Sequence, residues 1–150
     1  MKHDAQYNDA ITQAVTEQQI DRNNPETWYI AVGQPAYEAI REMVEAMNNA
    51  ETDEQQEQAR ETIENDPLSV EVRSSWFSPG SEDYNTPAEY KILLSTGGPA
   101  TRIIGQFSEY GEPETATLQV QDWSKPWTDY TQDVAESILL DYARCFSFSN

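Results

Sequence analysis

The chain has 150 residues, of which 27 are acidic and 9 basic, so its formal net charge at neutral pH is −18. Such a charge excludes binding to nucleic acid through phosphate contacts, which need clustered Lys and Arg, and it opposes binding to an anionic membrane. We therefore expect the partners of this surface to be basic: a nucleic-acid-binding protein, a cation or high salt.

The length and the single cysteine indicate how the chain is organised. The sequence suits one domain, 1–150, which is long enough to bury a core without disulfide bonds. Its single cysteine, Cys145, cannot form an internal disulfide, and the N-terminus shows neither a signal peptide nor a membrane span. We expect a cytoplasmic protein in which Cys145 is a small buried apolar residue and not a reactive thiol.

Helical spacing dominates the first third of the chain. Residues 4–22 form one predicted helix, and a short helical turn opens at Pro25 and closes at Gly33. Pro35 then opens the clearest helix, which Asn48-Asn49 ends. The apolar face of this helix consists of Tyr37, Ile40, Val44 and Met47.

Residues 51–66 are almost devoid of apolar side chains and rich in glutamate. On a helix, four glutamates would form one stripe, with neighbouring carboxylates about 4.5 to 6 Å apart along the axis, a spacing similar to that of phosphates on a nucleic-acid strand. The alternative, which the segment by itself favours, is a helix that simply faces water or a partly disordered linker. The four are Glu54, Glu57, Glu61 and Glu64.

Strand patterns follow Pro67. Apolar residues alternate with polar ones over 68–72 and predict a first strand. Two further runs, Tyr90–Leu94 and Arg102–Phe107, predict a hairpin around Gly97-Gly98-Pro99. The sheet is therefore expected to be antiparallel.

A third run, Thr115–Trp123, alternates strictly and predicts a strand with one buried and one wet face. Gly105, inside the preceding run, is typical of a bulge or of close backbone approach, and we interpret it as a site of sheet curvature. The predicted buried face is Ala116, Leu118, Val120 and Asp122, and the wet face is Thr117, Gln119 and Gln121.

The C-terminal part combines aromatic residues with one more helical pattern. Trp123 and Trp127 are predicted to plug the open end of the sheet, with stacking on a partner as the alternative. Residues 131–145 predict a helix that covers the apolar face of the sheet, and Phe146-Ser147-Phe148 predicts a tail strand or an apolar anchor.

The order of elements predicts an α+β fold: N-terminal helices, an antiparallel sheet of three to four strands, and a C-terminal helix packed on the sheet. The acidic helical part, 1–66, has 15 acidic and 4 basic residues, a net charge of −11. The part with the sheet and the C-terminal helix, 67–150, has 12 acidic and 5 basic residues, a net charge of −7.

Catalytic motifs are absent from the sequence. The single histidine, His3, lies at the terminus, so neither a histidine-activated nucleophile nor a histidine-based zinc site is predicted. No glycine-rich phosphate loop follows a strand. Asp53-Glu54 or Glu82-Asp83 could hold a hard cation, but neither has EF-hand spacing. We expect a protein that is not an enzyme and has no cofactor and no dedicated metal site.

Five runs in the last half of the chain have a recognisable pattern: Val70–Trp76, Glu89–Pro99, Gly111–Ala116, Gln121–Trp123 and Pro126–Thr128. Together they resemble a recurrent family of small uncharacterised proteins of phages, prophages and mobile elements. That family has no assigned catalytic residues. Its setting, combined with a strongly acidic surface, is similar to that of anti-CRISPR and antirestriction proteins, several of which occupy the nucleic-acid groove of a host defence complex.

The resemblance and the charge together predict an anti-CRISPR-like inhibitor of host defence, acting in the host cytoplasm. Its partner would be a basic nucleic-acid-binding host protein, either a CRISPR effector or a restriction enzyme, with no direct contact to nucleic acid or membrane. The alternatives are an interaction module of a mobile element that uses the Trp-rich end of its sheet, and an ordinary salt-adapted protein. The predicted partner-binding residues are Glu54, Glu57, Glu61, Glu64, Glu82 and Asp83.

Overall fold

The structure, a computed structural model, describes residues 23–148, so the predicted helix over 4–22 and His3 lie outside the described residues. The described chain has two helices, then five strands, then a third helix, which confirms the predicted α+β class. In chain order the elements are α1 (Trp28–Asn48), α2 (Asp53–Glu64), β1 (Ser69–Ser74), a 3₁₀ turn (Asp83–Asn85), β2 (Pro87–Ser95), β3 (Pro99–Gln106), β4 (Thr117–Asp122), β5 (Thr128–Asp129) and α3 (Glu136–Ala143).

The sheet is fully antiparallel, and its strands lie side by side in chain order from β1 to β5. The predicted hairpin joins β2 to β3, where Gly97 and Gly98 adopt positive φ angles that glycine alone accepts readily. The fifth strand exceeds the predicted three to four. It has two residues, too few for an alternating pattern to reveal it.

The two faces of β4 follow the predicted alternation. Ala116, Leu118, Val120 and Asp122 are buried, whereas Thr117, Gln119 and Gln121 are half-buried. Residues that pair across β3 and β4 share a face, so Ile103 and Leu118 point together into the core. The opposite face of the sheet is not covered by a helix of residues 23–148.

Helix α1 corrects the prediction of a turn closed at Gly33 and a separate helix opened at Pro35. One helix runs through both residues. Gly33 does not stop it; a Cβ there would lie 2.4 Å from Cδ1 of Tyr130, so the missing side chain makes room for a buried ring. The predicted end at Asn48 is confirmed.

The helices cover one face of the sheet. Helix α1 packs on β3 and β4, and α3 packs on α1 and β4, so the predicted packing of the C-terminal helix on the sheet is confirmed, but α1 provides most of the cover. Cys145 is buried, as expected, and burial raises the pKa of its thiol. Phe148 anchors the tail by packing its ring against Tyr90 and Phe107.

Gly105 marks a close approach and not a bulge of β3. A Cβ at this position would lie 1.9 Å from the carbonyl oxygen of Thr115 and 2.5 Å from the hydroxyl of Tyr90. That hydroxyl donates a hydrogen bond to the same Thr115 carbonyl, and burial raises the pKa of Tyr90. The register shifts in the sheet lie elsewhere, at Arg73/Ser74 and Leu93/Ser95.

None of the helices within residues 23–148 combines the length and the apolar character that a membrane crossing requires.

Candidate functional site

Residues 53–64 form the regular helix α2, so the predicted linker alternative is wrong, and the chemistry of its N-terminus supports the helix. Thr52 caps the helix: its Oγ1 accepts a hydrogen bond from the Gln55 backbone N–H at 3.1 Å. Gln55 returns the contact, since its Oε1 accepts from the Glu51 N–H at 3.0 Å. This reciprocal arrangement closely resembles a capping box. Asp53 and Glu54 in the first turn also suit the positive end of the helix dipole.

The four predicted glutamates do form one stripe, which we call the acidic stripe. At about 100° per residue they fall within an arc of roughly 80° and extend over about 15 Å of helix. All four are exposed, and Glu64 forms an ion pair with Arg60 at 3.2 Å. Among the described residues none forms an ion pair with the other three. The members of the stripe are Glu54, Glu57, Glu61 and Glu64.

One apolar side chain orients α2. Ile63, nine residues after Glu54 and therefore about half a helical turn away from it in direction, is completely buried in the main core cluster. Helix α2 packs against α1 through this side. Burial of this isoleucine consequently turns the acidic stripe toward solvent. Sequence spacing predicted the stripe but not the direction in which it points.

The remaining two predicted site residues, Glu82 and Asp83, lie away from the stripe. They stand at the 3₁₀ turn that precedes β2, next to the Ser74 end of β1, whereas α2 leads into the Ser69 end. The two ends of β1 are about 16 Å apart. Although Glu82 and Asp83 are exposed, the six predicted residues therefore form two separate surfaces and not one.

Carboxylates just beyond the stripe are tied to the core. Asp66 accepts a hydrogen bond from the hydroxyl of the buried Tyr142 at 2.7 Å. Burial and this contact raise the pKa of Tyr142. On α3, Asp141 accepts a hydrogen bond from Asn48 at 3.3 Å. Two carboxylates beyond the stripe are thus fixed by other helices: Asp66 by Tyr142 of α3, and Asp141 by Asn48 of α1.

On α1 one carboxylate departs from the predicted exposure. Glu38 does not belong to the predicted apolar face of this helix, but it is buried with 6% of its surface exposed. Arg41 offsets the cost of burying this charge, because its Nη2 lies 2.6 Å from Oε1 of Glu38. Arg41 also lies 3.9 Å from Glu45. Counting acidic residues therefore overstates the negative surface of α1.

The uncovered face of the sheet has a different electrostatic character. Its charges alternate between strands: Glu71 pairs with Lys91 at 3.5 Å, and Arg73 pairs with Glu89, which raises the pKa of Arg73. A groove of about 560 Å³ lies over this face. We call this uncovered face of the sheet the open sheet face. Its residues are Glu71, Arg73, Glu89, Lys91, Arg102, Ile104, Thr117 and Gln119.

The two tryptophans after β4 do not plug the sheet, which corrects that prediction. Trp127 stacks on Arg102, whose guanidinium carbon lies 4.0 Å from the ring centre, and burial lowers the pKa of this arginine. Arg102 also donates to Gln119, which donates to Asp129, both at 2.8 Å. Trp123 is 77% exposed.

An exposed apolar surface lies at the start of the sheet and was not predicted from the sequence. Along β1 and its flanks, large apolar side chains are exposed, although alternation predicted an ordinary half-buried strand. The signal was the outermost position of β1, which only the sheet order reveals. We call this surface the edge patch: Leu68, Val70, Val72 and Trp76, with 59%, 36%, 37% and 102% exposure.

Residues 23–148 contain no group of three or more His, Cys, Asp or Glu side chains placed to hold a metal ion. Comparison of the chain with protein-family models, curated proteins and solved structures gave no significant match. The surfaces of this chain are therefore the features that bear on its function.

Proposed function

We propose that this protein is an anti-CRISPR-like inhibitor of host defence whose acidic stripe occupies the basic nucleic-acid groove of a defence complex. The supporting observation is the presentation of the stripe. Glu54, Glu57 and Glu61 are exposed on a capped helix and, among the described residues, lack cationic partners. A basic groove can engage all of them without first breaking an ion pair within the inhibitor.

Local charge density favours a basic partner. Residues 51–66 carry 7 acidic residues and 1 basic residue, a net charge of −6 over sixteen positions. Neighbouring glutamates on one helix face repel each other, and a cationic partner relieves this repulsion on binding. The long-range field of the whole chain, with net charge −18, would also accelerate the encounter with a positively charged surface. Inhibition of this kind acts by occupancy and needs no turnover.

The test uses purified CRISPR effectors and restriction enzymes with their nucleic-acid substrates. The native chain should protect the substrate of at least one of them from cleavage, and high salt should weaken this protection. Glu57→Lys combined with Glu61→Lys should reduce the apparent affinity more than about tenfold, because two attractive contacts become repulsive.

Glu109→Lys combined with Glu112→Lys is the matched control, since it makes the same change in net charge at two exposed residues outside the predicted partner-binding set. If both double variants inhibit as well as the native chain does, the acidic stripe has no role. If both lose inhibition to the same degree, the total charge acts and the stripe does not. Loss confined to the α2 variant supports the proposal.

A second candidate is an interaction module that uses the Trp-containing end of the sheet. The observation in its favour is Trp123, which is 77% exposed and adopts a φ of 51°. A bulky residue rarely takes this left-handed conformation, and strained residues concentrate at functional sites. Trp123→Ala should then abolish capture of a host partner, while Trp76→Ala, at another exposed tryptophan, and the α2 double variant should not. Retained capture by Trp123→Ala contradicts this candidate.

A further inference from the structure

The outer edge of β1 has no partner among residues 23–148. β1 is the outermost strand of the sheet and pairs on one side only, with β2. The other side presents backbone N–H and C=O groups to solvent, an arrangement that can pair with a further strand. The edge patch lies along this strand, so the edge combines free hydrogen-bonding groups with exposed apolar side chains.

The charge around β1 contrasts with the rest of the chain. Between residues 67 and 81 the charged residues are Glu71 and Arg73, so this segment is neutral within a chain of net charge −18. Two copies of so acidic a protein repel each other wherever their carboxylates meet, and salt screens only part of this repulsion. A neutral segment with apolar side chains is the surface at which copies can approach.

We propose that β1 pairs antiparallel with β1 of a second copy of this chain, around a two-fold axis at Val72. The two five-stranded sheets then form one sheet of ten strands. The interface is isologous, as in most homodimers, because the same strand contributes from both sides.

Register and charge select Val72 as the centre. In an antiparallel pair the outward backbone groups alternate along each strand, so a symmetric pairing must be centred on a residue. Centring on Glu71 or on Arg73 places that charge opposite its own copy. Centring on Val70 or Ser74 leaves both charges facing uncharged residues. Centring on Val72 places Glu71 opposite Arg73 of the second copy, and this contact occurs twice.

The same register continues features already present in one copy. On the open sheet face the ion pairs join into an alternating row: Lys91 and Glu71, then Arg73 and Glu89 of the second copy. On the other face Val72 meets its own copy, which covers part of the edge patch. Helix α1 packs on β3 and β4, and β3 lies two strands away from β1.

Charge reversal tests the pairing by sedimentation of the full chain over a wide concentration range. The native chain should form a dimer as concentration rises. Glu71→Arg and Arg73→Glu should each weaken it more than about tenfold, because each places like charges opposite each other twice. These two variants change net charge in opposite directions, so loss in both excludes a net-charge effect. An equimolar mixture should associate again, since the introduced arginine faces the introduced glutamate.

Glu57→Arg is the control, because it changes net charge as Glu71→Arg does but lies on α2, and it should dimerise like the native chain. Circular dichroism melting of every variant checks that loss of dimer is not loss of fold. A native chain that stays monomeric at all concentrations overturns the proposal, as does a dimer that both β1 variants leave unchanged.

Cysteine cross-linking tests the register independently. Val72→Cys should form an intermolecular disulfide on mild oxidation, because the residue faces its own copy at the axis. Val70→Cys should not, since the two copies of residue 70 would lie about 13 Å apart along the strands, beyond the roughly 7 Å limit for a disulfide. Cys145 is buried, so the native chain supplies the background. Cross-linking through Val70→Cys in place of Val72→Cys overturns the proposed pairing.

Discussion

Helix α2 and the open sheet face carry the same acidic residue type in opposite settings. On α2 three of the four stripe glutamates have no ion-pair partner among the described residues, whereas on the open sheet face Glu71 and Glu89 each face a cation on the neighbouring strand. The acidic stripe is therefore an uncompensated charge, and the open sheet face is close to neutral. Net charge alone does not distinguish these two surfaces, but the pairing of each carboxylate does.

The two regions also differ in how they are attached. The sheet residues are held by pairing with neighbouring strands on both sides, except at the edges. Helix α2 is held through one fully buried side chain, Ile63, and through its end contacts. An acidic helix with so small an apolar face depends on tertiary contacts for its stability, because isolated short helices are marginal in water.

The largest expected effect concerns this attachment. Ile63→Ala should lower the free energy of unfolding by about 2–5 kcal/mol, because it removes a fully buried side chain and leaves a cavity. The same change at the half-buried Ile104 of the open sheet face should cost clearly less. Denaturant unfolding of both variants measures the difference. Equal losses would contradict the view that one side chain holds α2.

The second attachment of α2 is the hydrogen bond from Tyr142 to Asp66. Tyr142→Phe should cost about 1 kcal/mol, whereas Tyr110→Phe, at an 84% exposed residue, should be near neutral. Chemical denaturation compares the two variants at neutral pH.

Because of Tyr142, we also expect stability to depend on pH. Its pKa is raised in the folded state, so the unfolded chain loses this proton first as pH rises past the ordinary tyrosine pKa near 10. Stability should therefore fall above that pH, and the fall should be shallower in Tyr142→Phe. Identical slopes in the native chain and the variant would show that Tyr142 titrates normally.

The cap of α2 gives a smaller, local effect. Thr52→Ala should destabilise the helix by about 1 kcal/mol, because the Gln55 N–H loses its acceptor. Thr62→Ala is the control within the same helix; its hydroxyl donates to the Gln58 carbonyl and caps nothing. Amide hydrogen exchange of α2 should accelerate in the first variant and not in the second. Unchanged exchange in Thr52→Ala would mean that packing alone orders the helix.

The smallest effect tests the comparison most directly, because removing a glutamate should change stability in opposite directions on α2 and on the open sheet face. Glu61→Gln should raise stability by a few tenths of a kcal/mol at low salt, since it removes repulsion with Glu57 and Glu64. Glu89→Gln should lower stability, since Arg73 loses its partner. Thermal melts at low and high salt measure both changes. A loss of stability in both variants would show that the stripe glutamates are not a repulsive group.

Local patterns determined much of this molecule from the sequence alone. Strict alternation in β4 separated the core face from the wet face, because a two-residue period needs no knowledge of the neighbours. Spacing likewise placed the four stripe glutamates on one side of α2, since helical geometry depends on local backbone alone. The hairpin between β2 and β3 was visible in Gly97-Gly98.

Tertiary structure decided what those patterns left open. Gly33 is a packing contact and not a helix stop because Tyr130, distant in sequence, lies against it. Glu38 is buried although it lies outside the apolar face that helical spacing predicted. Trp127 lies on Arg102 because strand order brings them together. The exposed edge of β1 likewise exists only in the assembled sheet. Periodicity is a property of neighbouring residues, whereas burial and pairing depend on contacts between residues far apart in the chain, and only the folded structure supplies them.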